Sequence, residues 1–257
     1  MGISCKGVSY SYPLPKGQTL TSLQNVSFTV ETGQFVSLVG PSGCGKSTLL
    51  KLFAKLLRPT SGTVHFTDVE ADSYRPEVGM VFQQHGVFPW LNVLDNVVFG
   101  LQRHPLSRAE KNELARAYID RVHLTGFETA YPHQLSGGMQ QRVNIARALV
   151  SQAPTLLMDE PFGSLDAQTR LVMQEELLTI WESERKTVVY VTHDIDESLL
   201  LADRVLVMSS RPGVIKADIT VPIPRPRHLN DIENSTLREL RWHIWNLLEL
   251  KNEPRLT

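Results

Sequence analysis

The chain has 257 residues, of which 42% are apolar and 21% are charged, and its 26 basic and 27 acidic side chains give a net charge of −1. This composition predicts a globular protein with a sizeable core and excludes nucleic-acid binding through bulk positive charge. Two cysteines, Cys5 and Cys44, are too few for a disulfide framework, so a reducing compartment is expected. The N-terminus lacks a signal-peptide pattern, and no apolar run approaches the roughly 18 residues that span a bilayer. Any membrane role therefore needs a partner.

The first third of the chain is predicted to combine short strands with one helix. The predicted strands are residues 3–10, 24–30, 35–39, 63–66 and 78–82. The third strand runs into a glycine-rich loop and then a helix at about 46–57, which the Pro-Gly segment at 58–62 ends.

Residues 84–150 are predicted to be a mainly helical block, in which Ser107 and Glu110 form a capping box. Strands and helices then alternate again. The predicted strands are 155–158, 187–191 and 204–208, and the predicted helices are 166–183 and 194–202. This alternation indicates an α/β protein with a parallel sheet covered on both sides, interrupted by the helical block.

The last part of the chain is predicted to hold an edge hairpin with an extended connector, because residues 211–227 contain four prolines. Residues 236–250 place Leu237, Leu240 and Ile244 in one helical stripe. They predict an amphipathic helix that docks on its own domain's core, with an interaction helix as the alternative.

The loop after the third strand matches the phosphate-loop pattern G-x-x-x-x-G-K-[ST]. Its residues are Gly40, Pro41, Ser42, Gly43, Cys44, Gly45, Lys46 and Ser47. Glycines let backbone N–H groups surround phosphate oxygens, and the helix N-terminus adds partial positive charge. Lys46 is expected to reach the β- and γ-phosphates, and Ser47 to bind Mg²⁺. The strand–loop–helix context favours this over a plain glycine turn, and Cys44 is interpreted as a tolerated small side chain rather than a redox switch.

Two further segments carry candidate chemistry. The apolar strand 155–158 ends in Asp159 and Glu160, placed at a sheet edge to hold Mg²⁺ and to polarise an attacking water, respectively. Alone, such a pair can simply open a surface loop; the upstream phosphate loop favours catalysis. At 136–138, Ser-Gly-Gly opens a helix whose first turn is stripped of side chains, the form of an anion site without a lysine.

These motifs together resemble the nucleotide-binding subunits of ATP-binding-cassette (ABC) transporters, from about residue 3 to 230. The other matching segments are the signature LSGGMQQR (135–142), the glutamine loop VFQQ (81–84), the D-loop SLDA (164–167), the switch-histidine segment VTHDIDES (191–198) and VSYSYP (8–13), whose Tyr12 resembles the aromatic that stacks on adenine. Met139 replaces a common Gln, and Gly163-Ser164 replaces a common Ser-Ala; both variants are usual among bacterial importers.

The resemblance implies a P-loop NTPase (ABC ATPase) fold: a parallel-sheet core, an N-terminal antiparallel β subdomain and an inserted helical subdomain at about 84–150. The ATP-binding domain is expected at 1–230 and a helical tail at 231–257. ATP and Mg²⁺ are the implied cofactors. The implied nucleotide-binding residues are Tyr12, Gly40, Pro41, Ser42, Gly43, Cys44, Gly45, Lys46, Ser47, Thr48, Ser136, Gly137, Gly138 and Asp166. The implied catalytic residues are Glu160, His193 and Gln83, and the implied metal ligands are Ser47, Gln83 and Asp159.

Individual roles follow from the resemblance. His193 is expected to bond the γ-phosphate, and Gln83 to reach the metal or the attacking water. Asp194 is interpreted as a helix cap, and Asp166 also suits an N-cap. Tyr10 competes with Tyr12 for the adenine, because strand alternation puts both rings on one face.

The signature also implies a partner, because it would complete the ATP site of a second copy of the chain. Permease subunits are the other implied partners, and an extracytoplasmic solute-binding protein would act indirectly through them. No nucleic-acid partner is expected. The chain is expected to bind peripherally at the cytoplasmic face of the cell membrane. The segments 87–102, 208–213 and 222–227 resemble importers of the nitrate, sulfonate, taurine and bicarbonate group. Trp90 is expected to line a groove for a permease helix, the alternative being a core residue.

Other ABC classes fit less well. Nucleic-acid-linked members insert long coiled coils between the phosphate loop and the signature, whereas here Lys46 and Ser136 are 90 residues apart (136 − 46) without sustained heptads. Translation-factor members need two cassettes, and this sequence has one phosphate loop. The sequence does not name the solute.

Overall fold

In a computed structural model of the chain, the structure describes residues 1–67, 77–83 and 86–249. Gln84 of the glutamine loop and residue 250 of the predicted tail helix lie outside these ranges. The strands are β1 (Ile3–Pro13), β2 (Thr19–Val30), β3 (Phe35–Val39), β4 (Ser61–Phe66), β5 (Val78–Val81), β6 (Thr155–Asp159), β7 (Thr187–Thr192), β8 (Arg204–Met208) and β9 (Ile215–Thr220). The helices are α1 (Lys46–Phe53), α2 (Val93–Phe99), α3 (Arg108–Arg121), α4 (Gly137–Val150), α5 (Ala167–Glu184), α6 (Ile195–Leu201) and α7 (Ser235–Glu249).

The chain divides into two compact units, one formed by Met1–Pro76 with Arg185–Thr257 and the other by Glu77–Glu184. The first unit contains an antiparallel sheet in which β1 lies between β2 and β4. The predicted N-terminal antiparallel β-structure is therefore confirmed.

A second sheet in the first unit has β3 at its centre, parallel to both β7 and β8, with β9 antiparallel to β8 at the edge. Every residue of β3 and β7 is buried, and most of these residues are apolar, as expected for parallel strands covered on both faces. The expected edge hairpin is present as β8–β9.

The tail helix α7 packs against α6 and β8 of its own unit. Leu237 is 1% exposed and Ile244 is fully buried, as the predicted stripe requires. Docking on the core is therefore confirmed as the role of this apolar face.

The second unit pairs β5 and β6 in parallel and packs α2, α3 and α4 against one another. The predicted capping box of α3 is present, with Ser107 and Glu110 bonded reciprocally to each other's backbone.

The predicted end of the first helix was wrong. Helix α1 ends at Phe53 rather than near residue 57, because Lys55 has a left-handed φ of 53°, a conformation that stops a right-handed helix.

Candidate functional site: a phosphate loop and an exposed helix start

The phosphate loop joins β3 to α1 in the first unit. Lys46 is only 5% exposed, and its Nζ donates to the carbonyl oxygens of Gly40, at 2.6 Å, and Pro41, at 3.1 Å. Gly45 precedes α1 with φ 107°, and a Cβ there would lie 2.6 Å from a methyl carbon of Leu23. Only glycine therefore fits this position, and it leaves the first turn of α1 without a side-chain cap. Uncapped N–H groups and a nearby ammonium form an anion site.

Cys44 lies inside this loop and is 1% exposed. Burial raises the pKa of its thiol, an effect that the nearby Lys46 charge only partly opposes. The side chain is therefore a neutral thiol packed in the loop, which agrees with its interpretation as a tolerated small residue.

Tyr12 is tied to the start of α1. Its hydroxyl lies 3.0 Å from Oγ1 of Thr48, which also accepts a hydrogen bond from the Ser22 hydroxyl at 3.2 Å. The rings of Tyr10 and Tyr12 meet edge to face with centroids 4.8 Å apart, so the two tyrosines share a face as expected. The Tyr12–Thr48 contact joins residues 36 positions apart and was not predicted from the sequence.

His193 follows β7 directly and is exposed. The next residue, Asp194, is the N-cap of α6, and its carboxylate accepts from the backbone N–H groups of Asp196, at 2.9 Å, and Glu197, at 3.1 Å. The capping interpretation of Asp194 is therefore confirmed, and the cap fixes the backbone beside His193.

Gln83 and Glu160 meet at the carboxyl ends of the paired strands β5 and β6 in the second unit. Nε2 of Gln83 donates to Oε2 of Glu160 at 3.3 Å. Asp159, the last residue of β6, is 4% exposed, whereas Gln83 is exposed. Glu160 has a left-handed φ of 45°, a conformation uncommon outside glycine that concentrates at functional sites. The parallel register thus brings an amide and two carboxylates to one sheet edge.

The signature segment starts α4 with an exposed, side-chain-free turn. Ser136 is the N-cap, and its Oγ accepts the N–H of Met139 at 3.2 Å; Ser136 and Gly137 are both exposed. A Cβ on Gly138 would lie 3.2 Å from Cδ2 of Leu165, so glycine lets the helix start approach the D-loop closely.

Asp166 caps the helix that follows the D-loop. Its carboxylate accepts the N–H of Thr169 at 3.0 Å. Hydrogen bonding by Thr169 lowers the pKa of Asp166 below its usual value, so the cap carries a negative charge at neutral pH. Asp166 therefore has the structural role expected of it.

A model of the ABC transporter family matches residues 23–163 of the chain. The chain belongs to the ABC transporter family. As the fold also shows, it is an ATP-binding cassette, an ABC-type ATPase.

Individual relatives support this assignment. The chain is 46% identical to the nitrate import ATP-binding protein of Synechocystis, covering 81% of this chain and 79% of that one. It is 43% identical to the taurine import ATP-binding protein of Pelagibacter ubique, covering 93% of each, and 42% identical to an aliphatic sulfonates import ATP-binding protein of Bacillus cereus, covering 97% and 96%.

Solved structures agree. A dimeric ATP-binding cassette in a post-hydrolysis state, bound to ADP and Pi, superposes with a TM-score of 0.76 at 33% identity over 86% of this chain and all of that one. The α/β P-loop NTPase fold expected from the motifs is thereby confirmed.

The cassette displays an aromatic segment on its second unit. Trp90 is 70% exposed and Phe99 is 39% exposed, so the alternative that Trp90 is a core residue was wrong. Phe88 contacts both rings, with centroid distances of 5.5 and 4.5 Å. A cavity of about 440 Å³ lies beside this segment. Its lining residues are Leu91, Asp95, Val98, Phe99, Gln102, Leu106, Arg108 and Lys111.

A buried amide shapes that segment and was missed from the sequence. Asn96 is fully buried. It accepts the N–H of Phe88 at 2.8 Å and lies within hydrogen-bond distance of the carbonyls of Phe88, Leu91 and Asn92. An asparagine within an otherwise apolar helix face was the available signal.

No helix within residues 1–67, 77–83 and 86–249 is long and apolar enough to cross a membrane. Among the same residues, no cluster of three or more His, Cys, Asp or Glu side chains is arranged to hold a metal ion.

Proposed function

We propose that this ABC ATPase powers an importer, in which two copies of the chain close around two ATP molecules and drive uptake of a small anionic solute through a partner permease. One observation carries the proposal. Each chain has a phosphate loop with a buried lysine, Lys46, and separately an exposed helix start at Ser136 and Gly137 that has no lysine. This arrangement supports a site in which one ATP molecule lies between two half-sites, the phosphate loop of one chain and the Ser136 helix start of another.

The first half-site binds the nucleotide. The loop 40–48 surrounds the phosphates, with its lysine on the β- and γ-phosphates, and Tyr12 stacks on the adenine. Ser47, Gln83 and Asp159 offer hard oxygen donors, the ligand type that Mg²⁺ prefers together with phosphate oxygens. In this proposal the ATP-binding domain spans 1–230, with its helical subdomain at 84–150 and a helical tail at 231–257.

Hydrolysis uses the residues at the strand ends. Glu160 accepts the proton of the attacking water while the water oxygen bonds the γ-phosphorus and the bond to the ADP oxygen breaks. Gln83, whose amide bonds Glu160 at 3.3 Å, holds that carboxylate in place. His193 donates a hydrogen bond to the γ-phosphate.

The second half-site acts on the ATP of the other copy. The Ser136 oxygen accepts the N–H of Met139, and its own hydrogen remains free to donate to the γ-phosphate. Gly137 and Gly138 allow the backbone of α4 to approach, and the positive end of the helix faces the anion. Asp166 of the D-loop contributes to the same surface.

A mixing experiment tests the shared site. Lys46→Ala destroys the first half-site, Ser136→Arg blocks the second, and both chains also carry Glu160→Gln to prevent turnover. Neither variant alone should dimerise with ATP, although the Ser136→Arg chain should still bind ATP as a monomer. Mixed together, they should form an ATP-dependent heterodimer with one intact site, measured by light scattering and bound nucleotide. A mixture that stays monomeric, when Glu160→Gln alone dimerises, contradicts the shared site.

The permease and solute are inferred from relatives and from the surface. Proteins named for import of nitrate, taurine and aliphatic sulfonates are 42–46% identical to this chain, which supports a solute of the nitrate, sulfonate or taurine type. A bicarbonate-type solute rests on the sequence resemblance alone. The exposed Trp90 segment is the proposed groove for a permease helix. Docking there would hold the chain at the cytoplasmic face of the membrane, with an extracytoplasmic binding protein delivering the solute to the permease.

A further inference from the structure

The turn formed by residues 209–214, which follows β8, lies against the phosphate loop. Nε of Arg211 donates to the Gly43 carbonyl oxygen at 3.2 Å, across 168 residues of sequence. The N–H of Gly213 donates to the carbonyl of Ser22 on β2 at 2.8 Å. The turn is therefore bonded both to the loop and to the strand beside it.

The turn approaches the loop as closely as backbone allows. A Cβ on Gly213 would lie 2.1 Å from the Cys44 carbonyl oxygen, so any side chain there would displace the loop or the turn. Ser209, 4% exposed, closes the turn from within: its hydroxyl accepts the N–H of Val214 at 3.0 Å and lies 3.0 Å from the carbonyl of Pro212. The turn is a fixed part of the fold.

One peptide group in the loop is held at both ends. Arg211 bonds the carbonyl of the Gly43–Cys44 peptide, and the N–H of the same peptide donates to the Pro41 carbonyl at 3.3 Å. Because a peptide group is planar, fixing both polar ends fixes its orientation. The neighbouring N–H groups, which are the phosphate donors of such loops, then need little reordering when phosphate binds.

We propose that the 209–214 turn preorganises the phosphate loop and that Arg211 is a positioning residue for phosphate binding. This role rests on the proposed nucleotide site and adds to it a residue outside the phosphate loop. Loss of one exposed hydrogen bond of this kind should weaken phosphate ligands by about three- to tenfold. Turnover at saturating ATP should change little, because Arg211 does not touch the reacting atoms.

The test compares ligands that share phosphates but differ in the base. Dissociation constants are measured for ATP, ADP and inorganic tripolyphosphate with the full chain. Arg211→Ala should weaken all three by a similar factor, whereas Tyr12→Ala should weaken ATP and ADP and spare tripolyphosphate. Arg238→Ala removes an exposed arginine of the same unit and is the matched control, with all three affinities unchanged.

Further measurements distinguish a positioning role of Arg211 from a long-range effect of its charge and from a loss of protein stability. Arg211→Ala should raise KM for ATP while kcat stays within about twofold and the melting temperature of the free chain within about 2 °C. The affinity ratio to wild type should persist at about 0.5 M salt, because a structural bond is not screened as a distant charge is. Arg211→Lys, which keeps a donor, should recover part of the affinity. Gly213→Ala should weaken binding more than Arg211→Ala.

The possible failures are distinct. If the wild-type chain binds none of the three ligands, the proposed nucleotide site is wrong. If wild type binds them and Arg211→Ala binds equally well, the nucleotide site stands and the positioning role is overturned. A loss that spares tripolyphosphate, disappears at high salt, or only follows a fall in melting temperature also overturns it.

Discussion

Replacing Glu160 with glutamine removes a carboxylate but keeps the size and shape of the side chain. The amide of Gln83 donates to Oε2 of Glu160 at 3.3 Å, and the carbonyl oxygen of the new glutamine can accept the same bond. Neither residue belongs to the phosphate loop. We therefore expect Glu160→Gln to bind ATP as wild type does, and to lose only the ability to take a proton from the attacking water.

The size of the loss follows from the role. A positioned general base contributes about 10²- to 10⁴-fold, which corresponds to about 2.7 to 5.4 kcal/mol of activation free energy. We expect kcat to fall within this range, with KM for ATP equal or lower. Because the chain then binds ATP without consuming it, an ATP-bound dimer should accumulate.

Phosphate release at saturating ATP gives kcat, and light scattering with and without ATP gives the dimer. Glu175→Gln is the matched control: it makes the same charge change at an exposed position on α5 in the same unit, and it should hydrolyse ATP normally. If the Glu160→Gln chain turns ATP over at the wild-type rate, Glu160 is neither the base nor the group that orients the water.

Two other predictions concern the surface and the thiols. Trp90→Glu places a charge on a side chain that is 70% exposed; it should leave ATP binding intact and abolish co-purification with the permease, so normal assembly would contradict the groove. Both cysteines are 1% exposed, and burial raises the pKa of Cys44 and raises that of Cys5 to about 12. Since an unfolded thiol has a pKa of about 8.5, iodoacetamide at pH 8 should label the folded chain far more slowly than the urea-unfolded chain. Equal labelling rates would show that these thiols are accessible and ionised in the fold.

The sequence predicted elements well wherever local pattern and burial coincide. The apolar run 35–39 is β3 without change, and the helix start at Gly137 is the start of α4. The strand ends in the antiparallel sheet were not predicted from the sequence, because cross-strand pairing extends β1 to Pro13 and makes β2 begin at Thr19. Those bonds depend on a partner strand rather than on local propensity.

In the candidate site, too, local features were predicted from the sequence and non-local ones were not. Spacing alone located Lys46, because its motif is contiguous. The Gln83–Glu160 bond depends on the register of β5 against β6, and the Arg211–Gly43 bond joins residues 168 positions apart. Neither hydrogen bond can be predicted from a local sequence pattern, because each depends on how distant parts of the chain pair in the fold. The positive φ of Glu160 could not be predicted either, because it arises from the backbone conformation that the fold imposes at the end of β6.

Asn96 has a consequence for recognition. Its buried amide fixes the backbone from Phe88 to Asn92 in one conformation, so the ring of Trp90 projects from a segment that is already ordered. A helix that docks there would meet a rigid aromatic contact, and this chain would lose little backbone entropy on association. Recognition at this surface would then proceed as rigid-body docking, and most of the conformational entropy lost on association would be lost by the partner.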